Sequence, residues 1–303
     1  MIRQTNNTNH LTNCSSPTPV QGMALVAEGG GQRGIFTAGI LDSWLANNYN
    51  PFELLIGTSA GAQNLSSYMT NQMGYAKKSI LELSKHPTFF NMKRTLLGKS
   101  AMNLDWYFDQ VTNSYQLNIE CALSKMKTRK LLFSATRTDD LAVEFFEPKR
   151  ENWLTTLKAS SALPYLYKNG VQIGNANYVD GGVASPVPIK EAYSLGARNI
   201  VTIRTVPKTQ SVKSPWAHKL KSWVCNDQGR CPKVLNIITE HENAYDNALS
   251  FINSPPSDVN IIELSPPRPL LSKIMGSSEA SLNADYEMGV QVGLKFLESN
   301  ELH

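Results

Sequence analysis

Met23–Ala27 (MALVA) is a short apolar run between Gly22 and the glycines that follow Glu28, the pattern of a buried strand. Residues 35–45 place apolar side chains at helical spacing, with Ile35, Gly39 or Ile40, and Trp44 near one face; this predicts an amphipathic helix. Residues 52–56 read as a second strand and Ala60–Met69 as a second helix. Strand, helix, strand, helix in such close succession predicts parallel βαβ units.

The alternation returns downstream. Residues 129–136 and Val143–Phe146 predict strands separated by the polar turn TDD. Residues 153–163 predict a helix that stops at Pro164. Residues 178–183 form a short strand or turn carrying Asp180, and residues 189–195 a helix with Gly196 as its stop. Residues 199–205 and 259–264 read as the last strands, and residues 285–297 as a closing helix. Two stretches break the pattern, near residues 85–107 and 207–232. Both mix aromatic and basic residues: Phe89, Phe90, Trp106 with Lys93, Arg94, Lys99, and Trp216, Trp223 with Lys208, Lys213, Lys219, Lys221. They are expected to be lid-like insertions in a single catalytic domain spanning 23–303. Residues 1–22, rich in Asn, Thr, Ser and Pro, are expected to form a flexible arm.

Composition narrows the function classes. The chain has 303 residues, 41% hydrophobic and 18% charged, with net charge +4. That charge lacks the dense cationic stripe of a nucleic-acid binder, so no nucleic-acid partner is expected. It permits contact with an anionic membrane surface. No run approaches the roughly 18 apolar residues of a membrane-spanning helix. The cysteines, Cys14, Cys121, Cys225 and Cys231, read as free thiols of a reducing compartment, which points to the cytoplasm. No acidic ligand cluster or Cys/His set at metal spacing appears, so neither a metal nor another cofactor is expected. No motif sets the oligomeric state.

Three short segments carry the candidate chemistry. Ser59 fits G-x-S-x-G as Gly57-Thr58-Ser59-Ala60-Gly61, after an apolar strand and before a helix. One reading is a strained turn that lifts the serine Oγ above the sheet end, with Gly57 and Gly61 allowing a close crossing. The other is an ordinary turn in which Ser or Thr caps the helix. The second segment, EGGGQRG at 28–34, leaves backbone N–H groups free to converge on an anion. Gly29, Gly31 and Gly34 satisfy the dinucleotide fingerprint, but no ribose-binding acid stands at the end of the next strand. An oxyanion hole fits the loop better. In the third segment, YVDGGV at 178–183, Asp180 on its own reads as a common Asp-Gly hairpin turn.

EGGGQRG, GTSAG and DGG, in that order and each at a strand end, resemble the signature of the patatin-like phospholipases. ASSALPYLYKNG before the aspartate and VDGGVASPVPIKEAYSLGA around it are similar to that family as well. The resemblance covers roughly residues 23–205 and is nearest to bacterial single-domain members. It implies a three-layer α/β/α fold with a mostly parallel central sheet, related to but distinct from the α/β-hydrolase fold. It implies Ser59 as nucleophile, Asp180 as its partner in a dyad, and Gly29, Gly30, Gly31, Arg33 and Gly34 as the oxyanion loop. The implied substrate is a lipid acyl ester, a phospholipid or lysophospholipid, cleaved through an acyl-enzyme. Arg33 is positioned in sequence to meet a phosphate as well as to shape the loop. The two aromatic-basic stretches suit peripheral contact with the inner membrane. A Ser-His-Asp triad would need His218, His241 or His303, each read as solvated or structural. A lipid-binding protein without turnover is the other class, and the intact Ser59, Asp180 and glycines argue against it.

Overall fold

The computed structural model describes residues 22–168, 170–208 and 232–300. Residues 1–21 of the expected arm at 1–22, together with Trp216, Trp223, His218, His303, Cys225 and Cys231, lie outside the described residues, as does most of the 207–232 stretch. Within them the apolar runs become strands: β1 (Met23–Ala27), β2 (Phe52–Thr58), β3 (Lys130–Arg137), β4 (Val143–Phe146), β5 (Val171–Ile173), β6 (Ala176–Asp180), β7 (Asn199–Ile203) and β8 (Asn260–Leu264). They form one mixed sheet in the order β5-β6-β3-β2-β1-β7-β8, with β4 also paired to β3. The run from β3 through β8 is parallel, while β4 and β6 both meet β3 antiparallel.

Successive side chains of a strand point to opposite faces, so a strand that is apolar throughout must be covered twice. Leu25, Ala27 and Leu55 enter the core on one face; Ala24, Val26, Leu54 and Ile56 enter the core on the other. The first face is covered by α1 (Gly34–Ala46), α2 (Ala60–Met69) and α6 (Trp153–Ser160). Between α2 and α6 the chain also forms α3 (Tyr75–Ser79), α4 (Leu104–Asn113) and α5 (Ile119–Lys125). The second face is covered by α7 (Ile189–Ser194) and α8 (Pro232–Asn253). The chain closes with α9 (Glu279–Asn300), and the result is a three-layer α/β/α fold.

Three sequence expectations are corrected. The helix at 35–45 is buried on all sides rather than amphipathic, because α9 lies across its outer face. The two backbones touch: a Cβ on Gly289 would stand 2.1 Å from the Phe36 carbonyl oxygen, and one on Gly39 2.2 Å from that of Tyr286. The helix expected over 153–163 ends at Ser160, since its last carbonyls turn toward β6. Ser160 O accepts from Gly181 N and Ala162 O from Asp180 N. The closing helix begins at Glu279, earlier than its apolar spacing suggests, and β5, which forms a hairpin with β6, has no sequence counterpart above.

Residues 85–107 contribute no strand to the sheet. They fold as a short 3-10 turn at Met92–Leu97, one bridge between Phe90 and Met102, and the start of α4. Phe89, Met102, Leu104 and Tyr107 point inward and join the core beside α2.

Candidate active site

Strand β2 delivers Ser59 to the carboxyl edge of the sheet. Its backbone stands at φ 53°, ψ −121°, a sparsely populated region for a residue with a side chain. The crossing that follows is tight: a Cβ on Gly61 would lie 2.3 Å from the Ala27 carbonyl oxygen, and one on Gly57 2.6 Å from Ala62 N. Only glycine permits this approach. The serine hydroxyl does not cap α2. It donates instead to Asp180 Oδ2 at 2.7 Å, across 121 residues of sequence. Thr58 is also no cap; its hydroxyl donates to Ser185 O. The backbone N–H of Ser59 donates to Ser160 Oγ at 2.9 Å, which helps hold the strained turn.

Asp180 ends β6, and the turn after it is not a hairpin loop between strands. Its second oxygen, Oδ1, accepts the Gly182 N–H at 2.7 Å. The side chain is 1% exposed. Burial pushes its carboxyl up to about 7; the bonds from Ser59 and Gly182 offset part of that shift. Burial favours the neutral form, whereas donors aimed at the carboxylate favour the charged one.

The glycine loop lies on the other side of Ser59. A Cβ on Gly29 would meet the Ser59 Cβ at 3.3 Å. Gly29 N–H is engaged with Pro186 O and Arg33 N–H with Gly30 O, and Gly34 N–H bonds Gly31 O and Gln32 O. Among the described residues, no hydrogen bond engages the N–H of Gly30 or of Gly31, and both residues line the same cavity as Ser59. Gly31 stands at φ +58°, and a Cβ there would fall 2.3 Å from the Ile274 carbonyl oxygen. Arg33 is buried beside the loop, its Nε 3.5 Å from Gly30 O. Glu28, also buried, accepts from Thr205 N and Oγ1 and ties the loop to the end of β7.

These groups open onto a cavity of about 870 Å³, counting the part open to solvent. Its apolar lining includes Ile80, Phe89, Met102, Leu104 and Leu163. Tyr107 also lines it; its hydroxyl donates to Gln63 Oε1 at 2.6 Å, and burial pushes that phenol up to about 12. The described residues contain no group of three or more His, Cys, Asp or Glu placed to hold a metal ion.

His241 was expected to be solvated or structural, and solvated it is not. It is 3% exposed, lines the cavity and bonds the Gly182 carbonyl through Nδ1. The Asp180 carboxylate meets the Ser59 hydroxyl directly, with no imidazole between them. The sequence reading also missed Ser160, Gln32 and Ile274. Gln32 and Ser160 lie within the quoted segments and Ile274 outside them, but no local signal marks their roles, because each acts through a backbone contact with a distant residue.

A family model described as patatin-like phospholipase matches residues 25–193. A second, a domain of unknown function (DUF6363), matches residues 231–301. "Uncharacterized protein YjjU" of Escherichia coli (strain K12) is 41% identical over 276 residues, which is 91% of this chain and 77% of that protein. The crystal structure of VipD from Legionella pneumophila is similar with a TM-score of 0.45 and 13% identity, over 92% of this chain and 67% of that one.

Proposed function

The chain belongs to the patatin-like phospholipases, a family of lipid hydrolases, and from that premise we propose that it is a serine lipid acyl hydrolase of the phospholipase A or lysophospholipase type, working through a Ser59–Asp180 dyad. The observation that carries the reading is the 2.7 Å bond from Ser59 Oγ to Asp180 Oδ2 at a strained strand-to-helix turn. Ser59 Oγ attacks the ester carbonyl and passes its proton to Asp180. The tetrahedral oxyanion is received by the N–H groups of Gly30 and Gly31, and such donors contribute about 3 kcal/mol each. Collapse expels the alcohol, which takes the proton back from Asp180 and leaves an acyl-Ser59. Water then attacks, giving its proton to Asp180, and the acid departs as Ser59 recovers its hydrogen.

An ordinary aspartate, with pKa near 3.9, is a weak base for an alcohol. A carboxylate held near 7 by burial is a much better one at neutral pH. The apolar lining from Ile80 to Leu163 suits an acyl chain, and Arg33, which lines the same cavity, suits the phosphate of a phospholipid. Peripheral contact with a membrane fits the tip at Met92–Leu97. Leu96 is 85% and Leu97 76% exposed, and Lys93, Arg94 and Lys99 surround them, with Lys168 donating to the Gly98 carbonyl. Insertion of the leucines and attraction of the cations to anionic lipid act together there. No described helix is long and apolar enough to cross a membrane. We also place the protein in a reducing compartment as a single catalytic domain spanning 23–303.

Hydrolysis of phospholipid and of a short-chain nitrophenyl ester tests the proposal. Both activities vanish in Ser59→Ala and in Asp180→Asn, and a fluorophosphonate labels Ser59 in the wild type alone. Turnover retained in Ser59→Ala rules the dyad out.

A further inference from the structure

Residues 232–300 carry none of the three motifs, yet they touch both halves of the site. From α8, the His241 ring bonds the Gly182 carbonyl through Nδ1. Gly182 N–H in turn donates to Asp180 Oδ1 at 2.7 Å, and Asp180 Oδ2 receives Ser59 Oγ at 2.7 Å. On the opposite side, the loop before α9 grips the glycine loop. The Ile274 carbonyl accepts Gln32 N–H at 2.9 Å, and Ser277 N–H donates to Gln32 Oε1 at 2.8 Å. That loop is itself anchored on buried Asp285, which accepts from Leu271 N, Ser272 N and Ser272 Oγ.

We propose that this C-terminal segment, whose family model is a domain of unknown function, is a working part of the hydrolytic site: His241 is a positioning residue for Asp180, and the loop around Ile274 and Ser277 sets the glycine loop that receives the oxyanion. The assignment rests on Ser59 and Asp180 acting as the dyad.

The physical need is plain at the DGG turn. Gly181 and Gly182 follow Asp180, and glycine has the widest backbone freedom of any residue. The donor that orients Oδ1 belongs to this pair. Holding the Gly182 carbonyl pins the turn on its far side, so both peptide groups flanking the Gly182 Cα are fixed, one by Asp180 and one by His241. The imidazole is suited to this task. A carbonyl only accepts, so Nδ1 carries the proton. Burial pushes the ring down to about 4, with a further push from Arg33, so it stays neutral around pH 7. Tyr245 stacks beside it at 6.0 Å, and the Tyr245 hydroxyl accepts from Arg204, which is paired with Glu263 of β8. The histidine is thus held by the sheet that carries the dyad. At the other arm, Gly31 adopts φ +58° against the Ile274 carbonyl, and the residue lines the same cavity as Ser59 and Asp180.

The test uses the full chain. His241→Phe keeps the ring shape and the stack on Tyr245 but has no donor; His241→Asn restores an N–H at the Nδ1 position. Kinetics of nitrophenyl ester hydrolysis are read across the pH range spanning Asp180, with thermal unfolding as the fold control. The titratable groups sharing the cavity with Asp180 are Glu28, Arg33, His241 and Tyr107. His241→Phe is expected to lower kcat about 10- to 100-fold, the scale of an ångström's misplacement. KM stays near the wild-type value. The acid limb of kcat moves to higher pH, because Asp180 loses a well-placed donor to its charged form. His241→Asn is expected to restore both. Gln32→Met, on the other arm, lowers kcat without moving the limb, and carries the test should His241→Phe not fold. Wild-type kcat and limb in a folded His241→Phe, or equal loss in Phe and Asn with the limb unmoved, overturns the positioning role. Wild-type kcat in folded Gln32→Met overturns the loop's part. If Ser59→Ala remains active the dyad itself is wrong; if Ser59→Ala is dead and these variants are not impaired, only this inference falls.

Discussion

Replacing Asp180 by Asn should make the protein more stable above neutral pH while, under the proposed dyad, abolishing turnover. The carboxyl is 1% exposed, and burial raises its pKa from 3.8 to about 7. Between those two values the folded chain holds a proton that the unfolded chain has released. Stability from this group is therefore complete below pH 3.8, declines as pH rises through the interval, and is lost above about 7. At 1.36 kcal/mol per pH unit the loss is about 4 kcal/mol. Asparagine is neutral at every pH and carries no such loss. It also fits: its oxygen can accept from Gly182 N as Oδ1 does, and its amide can donate to Ser59 Oγ. At about 2 °C per kcal/mol for a chain of this size, the melting temperature of Asp180→Asn should exceed that of wild type by roughly 8 °C above neutral pH. The difference should shrink steadily on acidification and vanish near pH 4. Urea denaturation of both proteins at a series of pH values measures it. Equal stability above neutral pH, or a gap that does not change with pH, would refute the claim that burial of a charged carboxylate is what this site sustains.

Gly31→Ala forces a Cβ at φ +58° to within 2.3 Å of the Ile274 carbonyl oxygen. It should destabilise the fold by about 1–3 kcal/mol and depress kcat, read by melting temperature and ester hydrolysis; a neutral Gly31→Ala would contradict the close approach. His241, held near 4 against an ordinary 6.5, takes up fewer protons folded than unfolded as pH falls between those values. Its own contribution to stability should fall through that interval, opposing the gain from Asp180, so the wild type should lose ground to His241→Phe as pH drops; parallel curves count against it. Leu96→Asp with Leu97→Asp should cut binding to anionic vesicles by more than about tenfold, since each leucine contributes about 1.5–3 kcal/mol on burial. Hydrolysis of a soluble ester should persist; undiminished flotation of the double variant dismisses the tip as a contact. Ser160→Ala removes the acceptor of Ser59 N–H and should lower stability by about 1 kcal/mol along with kcat, checked by the same two assays.

Much of the fold was legible because its signals are local. An apolar run long enough for one strand, then a glycine, then helical spacing, is all that β1, α1, β2 and α2 require, and the structure places these elements within a few residues of the expected bounds. The interior of α1 was misjudged for a reason outside its own sequence: α9, more than two hundred residues downstream, takes away the solvent its outer face would have met. The helix after Trp153 is shorter than its spacing predicts because β6 and the turn after it take the carbonyls of Ser160 and Ala162. β5 is too short for a periodic signal and exists through its pairing with β6.

The candidate site divides along the same line. By itself, the chain determined where chemistry could occur. The glycines at 29–31, 57 and 61 mark places where backbone must approach backbone, and Ser59 and Asp180 stand at strand ends beside them. Such constraints are steric and concern neighbouring residues, so they are written in short motifs. Only the tertiary structure decided what those residues do to one another. It turned the Ser59 hydroxyl from a helix cap into a donor to Asp180, took the carboxylate out of water and so raised its pKa, and brought His241 and Ile274 against the two glycine turns. Desolvation and hydrogen bonding depend on what the rest of the chain packs around a group, and no stretch of neighbouring residues specifies that.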